Sequence, residues 1–336
     1  MSTGPEWLYE AGIGEDRAIL VEHGEILAAR IDWGEPLRAG LVADGRLIAK
    51  AAGARRGTAR LEDGSEVLVD GLPREACEGQ TLRLRITRAT IGEGRRVKRA
   101  QARCAPGEAS TPAPGLLDEL RAGPDPVRAV FAHDRAFADH GWDELVEQAQ
   151  SGEVAFTGGS LTISPTPAMT LIDVDGTLAP TELALAAVPA LAAALARLDL
   201  GGSVGIDFPS LAEKRDRQRV DIALAEALAD WPNGRKAERT AMNGFGFVQL
   251  VSRLTRPSLV ALLAREPAAA AARVLLRSAE RVAEPGALEL TAHPAVRRAV
   301  RPEWEAELAR RSGRALVWRE EQGLALAAVS VQAIAP

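Results

Sequence analysis

The stretch that decides the fold is residues 169–211, MTLIDVDGTLAPTELALAAVPALAAALARLDLGGSVGIDFPSL. It contains two short apolar runs, and each of them leads into acidic residues: the first into Asp173 and Asp175, the second into Asp207. The apolar segment between the runs is long enough for one helix. This order predicts a strand–helix–strand unit with parallel strands whose ends lie side by side, so that the carboxylates converge.

Converging carboxylates repel one another unless a hard cation lies between them. Mg²⁺ is the usual cation, and it favours one or two carboxylates together with a substrate phosphate. The stretch therefore indicates a Mg²⁺-dependent site that acts on a phosphate ester. The alternative for each aspartate is a structural one, in which it caps a helix N-terminus or ends a strand in a turn.

A local resemblance supports one version of this chemistry. The run Asp-Val-Asp-Gly-Thr-Leu at 173–178 resembles the first motif of haloacid-dehalogenase-like phosphatases, which would make Asp173 a nucleophile and Asp175 a general acid. That family also needs a Ser or Thr after a second strand, a downstream lysine and a late acidic pair. Only Lys214 and Lys236 follow Asp207, and no Gly-Asp-x-x-x-Asp pair is present.

A second resemblance extends over several ordered blocks at similar spacing. The chain resembles a reduced member of the ribonuclease E/G family of endoribonucleases. The matching blocks are 158–163 with 169–175, ALARLDLGGSVGIDF at 194–208, the helical segment 211–228, Phe245-Gly246, and Arg256-Pro257-Ser258-Leu259.

The resemblance implies a site and a reaction. Asp173 and Asp207 would hold Mg²⁺, with Mn²⁺ as an alternative, and Asp175 would assist at a position where the family usually has Asn. The bound ion would activate a water that attacks a phosphodiester of single-stranded RNA, leaving a 5′-phosphate and a 3′-hydroxyl. The rival from another class is a non-catalytic RNA-binding relative. The phosphatase is the third hypothesis.

The resemblance also implies a domain order and a mixed α/β, multi-subdomain fold class. Its core would be ribonuclease-H-like and deoxyribonuclease-I-like, with an inserted OB-type β-barrel and a small α+β C-terminal domain. Short strands in 6–33 indicate an antiparallel, hairpin-rich start, and those in 38–104 indicate a small barrel. A single helix is expected over about 295–311. The expected parts are 1–37 with 116–150 (ribonuclease-H-like), 38–104 (barrel), 105–115 (linker), 151–265 (catalytic, metal-binding) and 266–336 (C-terminal).

A basic cluster near the end of the barrel segment favours RNA binding, because such a cluster can follow a phosphate backbone. Its candidate residues, with two from the helix after Asp207, are Arg83, Arg85, Arg88, Arg95, Arg96, Lys98, Arg99, Lys214 and Arg215. The alternative is a solvated strand edge that carries charges against aggregation. No Phe, Tyr or Trp lies between Trp33 and Phe131, so aromatic base stacking in the barrel is not expected.

Composition sets further expectations. The net charge of −5 over 336 residues places any RNA-binding surface locally. The two cysteines, Cys77 and Cys104, have no zinc spacing, so we expect reduced thiols in a cytoplasmic protein. The resemblance implies a Cys-Pro-x-Cys zinc link after Leu259, but no cysteine follows there, so a zinc-linked dimer is not expected. A dimer would need other contacts.

Segment 183–200 is expected to be a buried helix and not a membrane span. Only the short linker occupies the place of the family's 5′-monophosphate sensor, so we expect that sensing to be absent.

Overall fold

A computed structural model describes residues 4–93, 96–229 and 237–335, which form a mixed α/β structure. The strands are β1 (Glu6–Ala11), β2 (Asp16–Glu22), β3 (Glu25–Asp32), β4 (Val42–Lys50), β5 (Arg56–Leu61), β6 (Glu66–Asp70), β7 (Thr81–Arg88), β8 (Ile91–Glu93), β9 (Arg96–Lys98), β10 (Gln101–Cys104), β11 (Val127–Val130), β12 (Glu153–Phe156), β13 (Gly159–Pro165), β14 (Thr170–Gly176), β15 (Ser203–Asp207), β16 (Ala237–Arg239), β17 (Phe247–Ser252), β18 (Ala287–Ala292), β19 (Leu316–Glu320) and β20 (Ser330–Ile334). The helices are α1 (Leu116–Arg121), α2 (Ala136–Asp139), α3 (Trp142–Ser151), α4 (Pro180–Arg197), α5 (Lys214–Ala229), α6 (Leu259–Arg265), α7 (Pro267–Glu280), α8 (Pro294–Ala299) and α9 (Pro302–Ser312).

The chain folds as two compact units. Within the described ranges, the first takes its residues from Met1–Gly34, Pro124–Glu147 and Leu263–Pro336, and the second from Glu35–Gly123 and Gln148–Leu262. The C-terminal segment thus belongs to the same unit as the N-terminal sheet. The domain boundaries drawn from the sequence stay predictions.

The first unit begins with the antiparallel hairpins that the sequence predicts. Its sheet has the order β11-β1-β2-β3, with β1 parallel to β11 and antiparallel to β2. His23 and Gly24 connect β2 to β3, and both have positive φ. A two-residue turn with two positive φ angles matches the right-handed twist of the flanking strands, and glycine adopts that geometry without strain.

A buried group of charges crosses this unit. The Arg17 side chain is 0% exposed; its Nη1 lies 3.0 Å from Glu10 Oε1 and its Nη2 lies 3.1 Å from Glu15 Oε1. The same Glu10 oxygen lies 3.3 Å from Nε of Arg277, on α7. Two guanidinium groups therefore share one buried carboxylate, which connects β1 and β2 to the C-terminal segment.

The C-terminal segment contains a three-stranded sheet of order β19-β18-β20 packed against α7. The expectation of one helix over about 295–311 is wrong, because two helices lie there. Helix α8 ends at Ala299, Val300 is extended, and Pro302 begins α9. Proline disfavours the helical conformation of the residue before it, and Arg301 accordingly has φ −80° and ψ 150°.

The second unit contains the small barrel that the sequence predicts. It is closed, with the order β10-β6-β5-β4-β7, and only the β10–β6 pairing is parallel. The segment after the barrel, predicted to be a linker, hydrogen-bonds to the barrel. The amide of Thr111 donates to the carbonyl of Val42 over 2.9 Å, and the hydroxyl of Ser110 donates to the same oxygen over 3.1 Å.

The second unit also contains a six-stranded sheet of order β12-β13-β14-β15-β17-β16. The predicted strand–helix–strand unit is present: α4 follows β14, and β14 and β15 pair in parallel. Helix α4 packs against β12, β13 and β14 and against α5. Ile172, Val174 and Ile206 are buried on the covered face of the sheet.

Helix α4 is long and apolar enough, by length and composition alone, to qualify as a candidate membrane span. In this structure it is a core helix of the second unit. Leu183, Val188, Leu191 and Leu195 are buried in it. The expectation that it does not span a membrane stays a prediction.

The buried charges give a prediction about stability. Replacing Arg17 with alanine leaves a cavity and removes one of the two cations at the buried Glu10, so we expect the free energy of unfolding to fall by about 3 kcal/mol. Urea unfolding followed by tryptophan fluorescence measures the change. The matched control is Arg128→Ala, in the same unit, which breaks an exposed pair with Glu6 (3.1 Å) and should cost under about 1 kcal/mol. Equal losses in the two variants would contradict this account.

Candidate active site on the six-stranded sheet

Three carboxylates meet on the uncovered face of the six-stranded sheet. Asp173 and Asp207 are direct partners in the parallel register of β14 and β15. Side chains two residues apart on a strand point to the same side, so Asp173 and Asp175 share that face. All three aspartates are exposed. The structure thus brings together the residues that the sequence singled out.

Strand β14 runs beyond the apolar residues that lead into Asp173 and ends at Gly176. The cause is the neighbouring β13, which pairs with this extension: Ser160 lies opposite Asp175 and Thr162 opposite Asp173. Asp173 and Asp175 are therefore strand residues, and only Asp207 is the last residue of its strand.

The neighbouring carboxylates affect the protonation of Asp173. Partial desolvation raises the pKa of Asp173, and the nearby charge of Asp175, a hydrogen bond to Asp175 and the charge of Asp207 raise it further. A backbone hydrogen bond from Val174 acts in the opposite direction and lowers it. A hydrogen bond between two carboxyl groups requires a proton on one of them. A cation at this position would take over the role of that proton.

The donor set fits Mg²⁺ held jointly with a substrate phosphate. Among the described residues, no group of three or more His, Cys, Asp or Glu side chains forms a metal cage of its own. Mg²⁺ does not need one, because it keeps several waters and binds through one or two carboxylates plus phosphate oxygens. Asp173 and Asp207, neighbours across one strand pairing, supply that number.

An apolar patch adjoins the carboxylates on the same face. Gly205 lies opposite Leu171 in the β14–β15 register and two residues before Asp207. A Cβ atom placed on Gly205 would lie 2.6 Å from Cζ of Phe247 and 2.9 Å from Sδ of Met169. Both side chains therefore lie directly over the glycine. A methyl group at this position would displace the Phe247 ring and the Met169 thioether.

The turn before β17 is held by a side chain that the sequence interpretation missed. The Asn243 side-chain oxygen accepts hydrogen bonds from the amides of Phe245 (2.9 Å) and Phe247 (3.0 Å). Gly246 has φ +90°, and a Cβ there would lie 2.4 Å from the carbonyl oxygen of Phe208. The signal was available in the Asn-Gly-Phe-Gly order, since Asn and Gly favour turns.

Arg239 connects this turn to α5. Its guanidinium lies 2.5 Å from the Asp221 carboxylate, and the amide of Met242 donates to the same carboxylate oxygen over 3.2 Å. Arg217 similarly donates to the backbone carbonyls of Leu211 and Ala212, in the loop after Asp207. These two arginines position loops beside the carboxylates. The sequence pattern alone cannot distinguish arginines that bind neighbouring loops from arginines that face the solvent.

The two predicted RNA-binding residues of α5 lie at its first turn. Lys214 and Arg215 are both exposed, and Nε of Arg215 lies 3.9 Å from the Asp216 carboxylate. An exposed pair of this length constrains the side chain little. Both residues follow Asp207 by one short loop.

Several predicted basic residues of the barrel already pair with carboxylates of the same chain. Nε of Arg83 lies 2.7 Å from Asp44 Oδ1, and Arg85 pairs with the carboxylate of Glu108, whose pKa this contact lowers. Nη1 of Arg99 lies 3.4 Å from a Glu66 oxygen.

The remaining members of the cluster lie near the β8–β9 hairpin. Arg88 donates to the carbonyl of Arg99 over 2.9 Å. Arg96 and Lys98 are the first and last residues of β9, and Arg95 lies outside the described residues. Their role in RNA binding stays a prediction.

The comparison with protein families agrees with the resemblance found in the sequence. The ribonuclease E/G family model matches residues 119–255. The match begins in α1, ends just after β17 and includes all three carboxylates. No curated protein matches the chain. Over residues 119–255, the segment that holds the candidate site, the match supports the ribonuclease E/G assignment that the sequence suggested.

Proposed function

We propose that this protein is a Mg²⁺-dependent endoribonuclease that cleaves single-stranded RNA. The observation that carries the proposal is the direct register pairing of Asp173 with Asp207 inside the family-matched segment. Cleavage leaves a 5′-phosphate and a 3′-hydroxyl. Mn²⁺ can replace Mg²⁺, and zinc has no part.

Each carboxylate has a separate role in the proposal. Asp173 and Asp207 would hold Mg²⁺, and the bound ion would bind the substrate phosphate. Mg²⁺, when bound, supplies positive charge for the phosphate and a more acidic water at the attacked phosphorus. Asp175, hydrogen-bonded to Asp173, adds to the effect of desolvation and raises the pKa of Asp173 further. Thr162, opposite Asp173, offers a hydroxyl beside the same phosphate.

The RNA path in this proposal uses the basic residues that the sequence singled out. Lys214 and Arg215 are the nearest to the carboxylates along the chain and contact the phosphates that flank the cut. Arg88, Arg95, Arg96, Lys98 and Arg99 contact the backbone further along. Arg83 and Arg85 contact RNA after exchanging their present carboxylate partners, Asp44 and Glu108.

Fold assignments, localisation, assembly and 5′-end sensing complete the proposal. The N-terminal sheet is ribonuclease-H-like, the six-stranded sheet is deoxyribonuclease-I-like, and the closed barrel is an OB-type RNA-binding domain. The protein is cytoplasmic, has no membrane partner and forms any homodimer through contacts other than zinc. It does not sense the 5′-monophosphate, because only residues 105–115 separate β10 from α1.

The first prediction concerns the metal-holding pair. Asp173→Asn and Asp207→Asn should each lower kcat/KM on a labelled single-stranded RNA by about 100-fold or more, because each removes a charge that holds the cation. The matched control is Glu153→Gln, a carboxylate on the exposed side of the same sheet, opposite Thr162 on the strand next to β14. It should stay within about threefold of the parent enzyme.

RNA binding with no cuts in the parent enzyme would favour the non-catalytic relative instead. Phosphate release from a small ester with intact RNA would favour the phosphatase.

The second prediction concerns the 5′ end. Matched RNAs with a 5′-hydroxyl and a 5′-monophosphate should be cut at rates within about twofold of each other, since a chain without a monophosphate pocket gains no binding energy from that group. Single-turnover rates on the two substrates measure the ratio. A large preference for the monophosphate would show that a sensor exists elsewhere in the chain.

The third prediction concerns pH. The raised pKa of Asp173 means that the protonated form persists above the usual aspartate range, so Mg²⁺ affinity should fall as the pH drops through that raised value. Asp175→Asn removes the charge of Asp175, while desolvation remains. The acid limb of Mg²⁺ binding should therefore move to lower pH. Calorimetric titrations across pH measure it, with Glu153→Gln as the control. An unmoved limb would contradict the assigned role of Asp175.

A further inference from the structure

A small apolar surface lies beside the carboxylates with nothing covering it among the described residues. We define it as the apolar shelf: Met169, Leu171 and Phe247 around Gly205. Leu171 is 39% exposed, although its strand neighbours Ile172 and Val174 are buried. Contiguous apolar surface of this kind is a feature of ligand-binding sites.

The position of the apolar shelf is set by the strand registers. Leu171 and Gly205 are register partners, as are Asp173 and Asp207 two residues further along the same strands. Two residues of extended chain span about 7 Å. Two residues of polypeptide backbone contain six bonds, and one nucleotide of an RNA backbone contains about the same number. The distance is therefore on the order of the spacing between neighbouring phosphates in an extended RNA strand.

The chemistry of the apolar shelf suits a flat apolar group. An aromatic ring, a thioether and a branched aliphatic side chain offer dispersion contacts without directed hydrogen bonds. The opposite flank of the carboxylates differs, because β13 presents the hydroxyls of Ser160 and Thr162 there. The two flanks thus match the two halves of a nucleotide, the base on one side and the polar sugar-phosphate on the other.

We propose that the apolar shelf of Met169, Leu171 and Phe247 seats the unpaired base of the nucleotide next to the scissile phosphate. The inference rests on the proposed function and deepens it. Stacking on these side chains makes no hydrogen bonds to the base, so the shelf accepts any of the four bases. Its effect is to position the phosphodiester at the carboxylates.

A hydrogen bond and a close packing contact fix the position of Phe247. The amide of Phe247 is bound by the Asn243 side chain, and its ring lies over Gly205, where a Cβ would come within 2.6 Å. Phe245, in the same turn, is 82% exposed. An aromatic side chain fixed in this way loses little entropy when a base stacks on it.

An abasic scan tests the proposal. Single-stranded RNAs carry one abasic site, moved one position at a time across the cut, and kcat/KM is measured for each. For the parent protein, one position adjacent to the cut should show a loss of about 5- to 100-fold, which is the range for one lost stacking contact. In Phe247→Leu that penalty should shrink to under about threefold, while Phe247→Tyr should keep it.

A matched control and a second readout distinguish failure of the apolar shelf from failure of the proposed function. Ile222→Ala removes another exposed apolar side chain (59% exposed, on α5) and should leave the abasic penalty unchanged. Fluorescence of 2-aminopurine placed at the same position, read in EDTA, reports stacking without cleavage. If the parent protein binds but does not cut, the proposed function fails, while quenching that Phe247→Leu abolishes still supports the shelf.

Two results would overturn the shelf. One is an abasic penalty that is equal in the parent protein and Phe247→Leu, together with equal 2-aminopurine quenching. The other is a change in sedimentation behaviour in Phe247→Leu with an unchanged abasic penalty, which would assign this surface to contacts between protein chains.

Discussion

The pairing of β14 with β15 is the constraint on which the rest of the site depends. The parallel register places Asp173 directly opposite Asp207 and, two residues earlier, Leu171 opposite Gly205. A shift by one residue would turn these side chains to the covered face, where charge is expensive to bury. The buried residues Ile172, Val174, Val204 and Ile206 hold the register by packing on the other side.

That constraint explains why the carboxylates can be so close. Like charges on adjacent strands oppose folding. Partial desolvation and, after it, the charges of Asp175 and Asp207 raise the pKa of Asp173. The apolar packing of α4 against the sheet offsets the repulsion. Such repulsion is common at sites that bind charged ligands. A bound cation removes the repulsion between the carboxylates, and this relief adds to the free energy of binding.

Much of this arrangement could be predicted from the sequence. Two apolar runs that lead into acid, with one helix between them, specify Asp173 and Asp207 as neighbours, and short strands with glycine turns specify a closed barrel. The extension of β14 to Gly176 could not be predicted, because it depends on pairing with β13. The same holds for the barrel arginines, since the contacts of Arg83 and Arg85 with Asp44 and Glu108 join distant parts of the chain. The break before α9 was in principle readable from Pro302.

The most direct test of the central claim is a sulfur substitution at the scissile phosphate. If a metal ion held by Asp173 and Asp207 contacts that phosphate, replacing one non-bridging oxygen by sulfur should slow cleavage in Mg²⁺ by about 10-fold or more, and a softer ion such as Mn²⁺ or Cd²⁺ should restore the rate. A rate that falls equally in every ion, or does not fall at all for either stereoisomer, would contradict direct metal contact and with it the account of the site.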